Sequence, residues 1–190
     1  MGDAIFDKYG LGNLKDRRLS LWTEDDYENV ISACIKENMA PQLPLLFNSE
    51  NIERLMKHSH CRECGLCCGW GPHPISPHSQ GVFLFESELK KIEQESKYKR
   101  DRLIRIATKH ESHPGAWYLP FPCVFRKNER CEIYQARPFP CHTYPLSNYL
   151  LNGKYYIAVS VQCKYGSDIY KAVLRELSRN ERDAKELSYE

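Results

Sequence analysis

Cys61-Arg62-Glu63-Cys64-Gly65-Leu66-Cys67-Cys68 sets four thiols within eight residues, and Cys123, Cys131, Cys141 and Cys163 follow downstream. Thiolate sulfur is the softest ligand a protein owns. Cysteines spaced two residues apart can wrap one soft ion or cluster without a helix or sheet to hold them. The distant cysteines would tie separate stretches of chain to that loop. The fold expected is therefore α+β, a small loop-rich domain stapled by metal, with a short antiparallel hairpin and flanking helices.

The competing use of nine cysteines is a disulfide framework, which belongs to oxidising compartments and normally follows a secretory signal. Met1-Gly2-Asp3-Ala4-Ile5-Phe6-Asp7-Lys8 has no basic segment backed by an apolar run, so it does not read as a targeting sequence. No stretch approaches the ~20 apolar residues of a membrane span. The expectation is a soluble, reduced, cytoplasmic protein that binds metal. Lys and Arg number 27 against 25 Asp and Glu, a balance that argues against a dedicated nucleic-acid binder. The excess is local: residues 59–165 carry 15 basic against 9 acidic side chains, which suits an anionic cluster or substrate as well as a solvated face.

Three divisions are expected: a helical segment over 1–58, the cysteine domain over 59–165, and a helix with a polar tail over 166–190. Thr23 followed by Glu24, Asp25 and Asp26 signals a helix start, and Tyr27, Val30, Ile31, Cys34 and Ile35 fall at helical spacing before Pro41. Cys34 thus belongs to an apolar stripe and is read as a buried thiol, outside the ligand set. A second helical pattern surrounds Ile52, Leu55 and Met56. Pro72, Pro74 and Pro77 exclude regular structure after the cysteine loop, and Gly81-Val-Phe-Leu-Phe suits a short strand. A helix starts near Glu86, with the polar run Ser96 to Arg102 breaking it in two. Its basic residues Lys97, Lys99, Arg100, Arg102 and Arg105 read as a wet face.

Asn152-Gly153 suits the two positive φ angles of a type I′ hairpin turn between Tyr144–Leu151 and Lys154–Cys163. Carried along the strands, that register sets Cys163 opposite His142 and beside Cys141, on the face of Ile157, Val159 and Val161. Pro145 limits the first strand. A second closure joins Cys123 to Cys131 through the polar turn Arg126–Arg130. A helical turn over Ile133–Ala136 should end at Pro138, and Ser167 should cap a last helix with Ile169, Tyr170, Val173, Leu174 and Leu177 inward.

The C-x2-C-x2-C spacing suits ferredoxin-type cluster binding, in which neighbouring cysteines hold three irons of a 4Fe-4S cubane and a remote one the fourth. Structural zinc more often uses two separated C-x2-C knuckles. An iron-sulfur cluster is therefore favoured, with zinc the alternative. Cys67 and Cys68, if extended, would point apart and serve different atoms. His58, His60, His73, His78 and His142 lie near the cysteines in sequence, and His142 is the best outer-shell or substitute ligand. Arg137 can face a thiolate or an anion, or simply form a surface ion pair.

Taken together, C61-R-E-C64-G-L-C67-C68, C123-V-F, C131-E-I-Y-Q-A-R-P-F-P-C141-H-T-Y-P and Cys163 resemble the cysteine-cluster proteins called zinc- or iron-chelating, or YkgJ-type, over residues 61 to 163. The resemblance implies a metal-binding domain using Cys61, Cys64, Cys67, Cys68, Cys123, Cys131, Cys141 and Cys163. One branch comprises the flagellin lysine N-methylases, which implies cluster-dependent methyl transfer to protein lysines as an alternative to an accessory, structural or redox role. Where family members commonly have Pro after the first downstream cysteine and Arg after that of R-P-x-x-C, this chain has Val124 and His142. A protein partner or protein substrate is expected under either role, and the oligomeric state stays open.

Overall fold

A computed structural model describes residues 3–186, apart from 38, 59, 62–66, 69–80 and 129. In chain order the first half holds α1 (Asp3–Lys8), α2 (Glu24–Lys36), β1 (Gln42–Leu46), α3 (Ser49–Met56), β2 (Val82–Phe85), α4 (Glu86–Glu95) and α5 (Arg100–Ile106). The second half holds β3 (Thr108–Lys109), β4 (Ala116–Leu119), β5 (Arg126–Lys127), β6 (Arg130–Cys131), α6 (Phe139–Thr143), β7 (Leu146–Leu151), β8 (Lys154–Val159) and α7 (Lys164–Glu186). The fold is α+β, with antiparallel sheets of three, three and two strands. The chain separates into two compact units, residues 1–60 with 145–190, and residues 61–144.

In the first unit, α2 starts as the sequence dictates. The Thr23 hydroxyl accepts from the Asp26 amide at 3.2 Å, and the Asp26 carboxylate accepts from the Thr23 amide at 2.7 Å, a reciprocal capping box. Tyr27, Val30, Ile31 and Cys34 face the core, Cys34 with no exposed surface, while Ile35 lies largely in solvent. Asn48 caps α3 through the Asn51 amide at 2.9 Å. In α7, Ile169, Tyr170, Val173 and Leu174 are buried, each such side chain contributing about 1.5–3 kcal/mol. Ser167 does not cap α7. The helix begins at Lys164, and the Ser167 hydroxyl donates back to the Val161 carbonyl at 2.7 Å. Gly166 lies where a Cβ would stand 2.0 Å from the Ser160 carbonyl oxygen, so no larger residue fits.

The sheet of this unit runs β1-β8-β7. Asn152 (φ 50°) and Gly153 (φ 73°) make the expected turn, and the ladder runs from Leu151–Lys154 to Leu146–Val159. The register does not continue to His142 and Cys163. Residues 139–143 are helical, and the Cys163 amide bonds the Ser160 carbonyl at 3.3 Å in a turn. Strand β1, absent from the sequence reading, pairs with β8 across more than a hundred residues of chain.

In the second unit β2 pairs with β4, and β3 with the same strand. Of β2 only Leu84 is buried; Phe85 is 55% exposed. The predicted break between α4 and α5 occurs at Ser96, whose hydroxyl donates to the Ile92 carbonyl at 2.5 Å. Residues 133–136 form turns rather than a helix, and a short helix, α6, starts after Pro138 instead of ending there. Leu89, Ile92, Tyr98, Leu103, Leu119, Phe125 and Ile133 form the core, against which Cys123 and Cys131 pack. The expectations for Cys64, Gly65, His73, His78 and the prolines at 72, 74 and 77 lie outside the described residues.

Candidate metal centre

Cys67, Cys68, Cys123, Cys131 and Cys141 come together in the second unit. Three separate pieces of local structure bring them there. Cys67 and Cys68 lie in helical backbone, where successive side chains are turned by about 100°; the extended geometry expected for this pair is not what forms. Cys123 precedes the β5–β6 hairpin, in which Arg126 pairs with Cys131 and Lys127 with Arg130 around Asn128 (φ 47°). The Cys123 amide donates to the Cys68 carbonyl at 2.9 Å, which ties the early cysteine segment to the hairpin. Cys141 sits in α6, whose first amide, Phe139, donates to Glu88 Oε1 at 2.6 Å. The other oxygen of Glu88 accepts from the Phe85 amide at 2.7 Å, so one carboxylate anchors both α4 and α6.

The side chains of Cys68 and Cys123 hydrogen-bond each other, and Cys67 hydrogen-bonds Cys68. The amides of Phe125 and Arg126 also point donors at the Cys123 sulfur, an arrangement that stabilises sulfur as thiolate. Cys123 nonetheless resists ionisation, first because of its bond to Cys68 and then through burial. For Cys68 the bond from Cys123 favours the thiolate. The bond to Cys67, burial and the charges of Cys67 and Cys131 outweigh it and push the thiol up to about 11. Burial leads at Cys141, reinforced by Cys123, Cys68 and Cys131 and opposed by Arg137, which leaves it at about 12. Sulfurs that discourage one another's ionisation are what a cation would relieve.

The Arg137 guanidinium lies 3.7 Å from the centre of the Tyr134 ring, its Nε is buried with no hydrogen-bond partner among the described residues, and its charge favours the Cys141 thiolate. His142 follows Cys141 on α6 and is exposed, and partial desolvation first, then Arg137 and Lys91, lower its pKa from the ordinary imidazole value. His58 and His60 are exposed in the first unit. Cys61 is exposed in the second unit, and Cys163 packs against the core of the first.

Two residues went unrecognised in the sequence. Glu88, already described, stood at the third position of a legible helix. Glu132 follows Cys131 and accepts from Lys97 at 2.5 Å and from the Tyr98 hydroxyl, with Lys127 at 3.5 Å. These contacts, Lys97 first, hold its carboxyl at about 2. Tyr98 packs edge-on to Phe125 with ring centres 4.8 Å apart, so the hairpin bearing Cys131 is clamped to the segment before α5.

The donor set fits a soft metal in kind, and among the described residues no three Cys, His, Asp or Glu side chains already stand as a coordination shell. Metal sites commonly close only on binding, and Cys64 belongs to the same segment. No helix among the described residues is long and apolar enough to cross a membrane. Comparison with the curated proteins and with the solved structures finds no match. The family described as "CxxCxxCC: Putative zinc- or iron-chelating domain" matches residues 60–164, more than half of the sequence. Matched over more than half of its length, this chain belongs to that zinc- or iron-chelating cysteine-cluster family.

Proposed function

We propose that residues 61–144 carry a thiolate-ligated iron-sulfur cluster, of the 4Fe-4S type, in an accessory role that is structural or redox. The observation that carries this reading is the thiol group itself: Cys68 hydrogen-bonded to Cys123 and Cys67, with Cys131 and Cys141 near enough to bias their ionisation. Cys68, Cys123, Cys131 and Cys141 would hold the metal, and Cys61, Cys64 and Cys67 supply further sulfur from the adjoining segment. When bound, such a cluster supplies one-electron transfer and a covalent clamp between loops. The chain's own part is to aim amides at Cys123, to hold α6 through Glu88, and to set Arg137 beside Cys141. Anaerobic purification followed by iron, zinc and acid-labile sulfide analysis tests this. Iron with equimolar sulfide is expected; zinc without sulfide would replace the cluster by a closed structural site, and neither metal would remove the reading altogether.

A further inference from the structure

A groove in the first unit has no part in the metal chemistry. It has a volume of about 360 Å³ and opens between the loop after α1, strand β1 and helix α7. Its floor consists of the buried side chains of Phe6, Leu14, Leu43 and Tyr170, and Trp22 and Leu177 form the walls. This size lies at the lower end of small-molecule sites, and at about 30 Å³ per water-sized group it holds on the order of a dozen non-hydrogen atoms.

The rim gives the groove a sign. Lys15 is committed to Asp7 at 2.7 Å, and Arg17 to Asp26 at 3.3 Å and to the Leu21 carbonyl. Glu181, also in the lining, accepts from the Ser20 amide at 3.0 Å. Arg18 also lines the groove, is exposed, and has no carboxylate partner among the described residues. An apolar floor ending at an uncommitted guanidinium is complementary to a molecule with an apolar body and one anionic head, since a guanidinium binds a carboxylate through two parallel N–H donors.

We infer that this groove binds a small apolar carboxylate, with the hydrocarbon on Leu14, Leu43 and Tyr170 and the carboxylate on Arg18. The groove is lined wholly by residues of the first unit.

Titration calorimetry on the full, metal-loaded chain tests this with octanoate, whose size matches the groove, and with octanol, its neutral counterpart. Octanoate should bind saturably at one site, and Arg18→Gln should weaken it about tenfold while octanol binds both proteins weakly and alike. Leu177→Glu, which sets a like charge in the wall, should abolish octanoate binding without changing metal content. Absence of saturable octanoate binding, equal affinity for octanol, or indifference to Arg18→Gln would each overturn the assignment.

Discussion

Cys123 sits where three kinds of support converge: a side-chain bond with Cys68, two backbone donors on its sulfur, and its own amide bonded to the Cys68 carbonyl. Replacing it removes a ligand and the link between two segments, so Cys123→Ser should lower metal retention against a chelator by about tenfold or more. Cys34 offers the control. It is fully buried among Tyr170 and the apolar stripe of α2, and burial alone pushes its thiol up to about 11. Cys34→Ala should leave metal content unchanged and cost about 1–2 kcal/mol of stability through lost packing, read by urea unfolding. Equal metal loss in the two variants would contradict the division of the cysteines made here. That division was legible because Cys34 shares helical spacing with Tyr27, Val30 and Ile31. The grouping of Cys68 with Cys123, Cys131 and Cys141 was not, because it depends on how a hairpin and a helical turn fold together.

Helix α2 owes its start to the capping box, and Thr23→Ala should destabilise the protein by about 1 kcal/mol. Its pH dependence has a definite sign. The Thr23 amide, aided by the hydroxyl and Arg17, holds the Asp26 carboxyl below its ordinary value of 3.8. Its contribution is therefore complete above about pH 4, where an unfolded aspartate is ionised, and fades as pH falls through the depressed native value. The stability difference between wild type and Asp26→Ala should accordingly shrink in acid; a gap that widens on acidification would count against the box. At α6, Glu88→Ala frees the Phe139 amide and loosens the turn carrying Cys141, so metal should be released faster to a chelator while α2 and α7 remain folded. Elements with local signals are readable: α2 by its cap, α3 by the spacing of Ile52, Leu55 and Met56, the Ser96 break, and the Asn152-Gly153 turn with its register. Strands β1 and β4 are short and exist through pairing with distant chain, which periodicity does not report, and β3 spans only two residues. Pro138 was read as a terminator although proline also suits the entry to a helix, and Ser167 was read as a cap although its hydroxyl is taken by Val161.

The two units differ in what holds them. Among the described residues, nineteen buried side chains form the core of the first and ten that of the second. Small cores are commonly supplemented by metal, and the thiol group lies in the unit with fewer. Removing metal should therefore raise amide hydrogen exchange across residues 81–144 and leave 24–36 and 164–181 protected, by mass spectrometry on peptides of the two forms. Exchange rising equally in both would mean that the centre does not serve the second unit in particular. The most direct measurement is the X-ray absorption fine structure of the bound metal. Thiolate ligation predicts a first shell of sulfur alone at about 2.3 Å; a shell of nitrogen and oxygen near 2.0–2.2 Å would show that the metal sits elsewhere than on these cysteines.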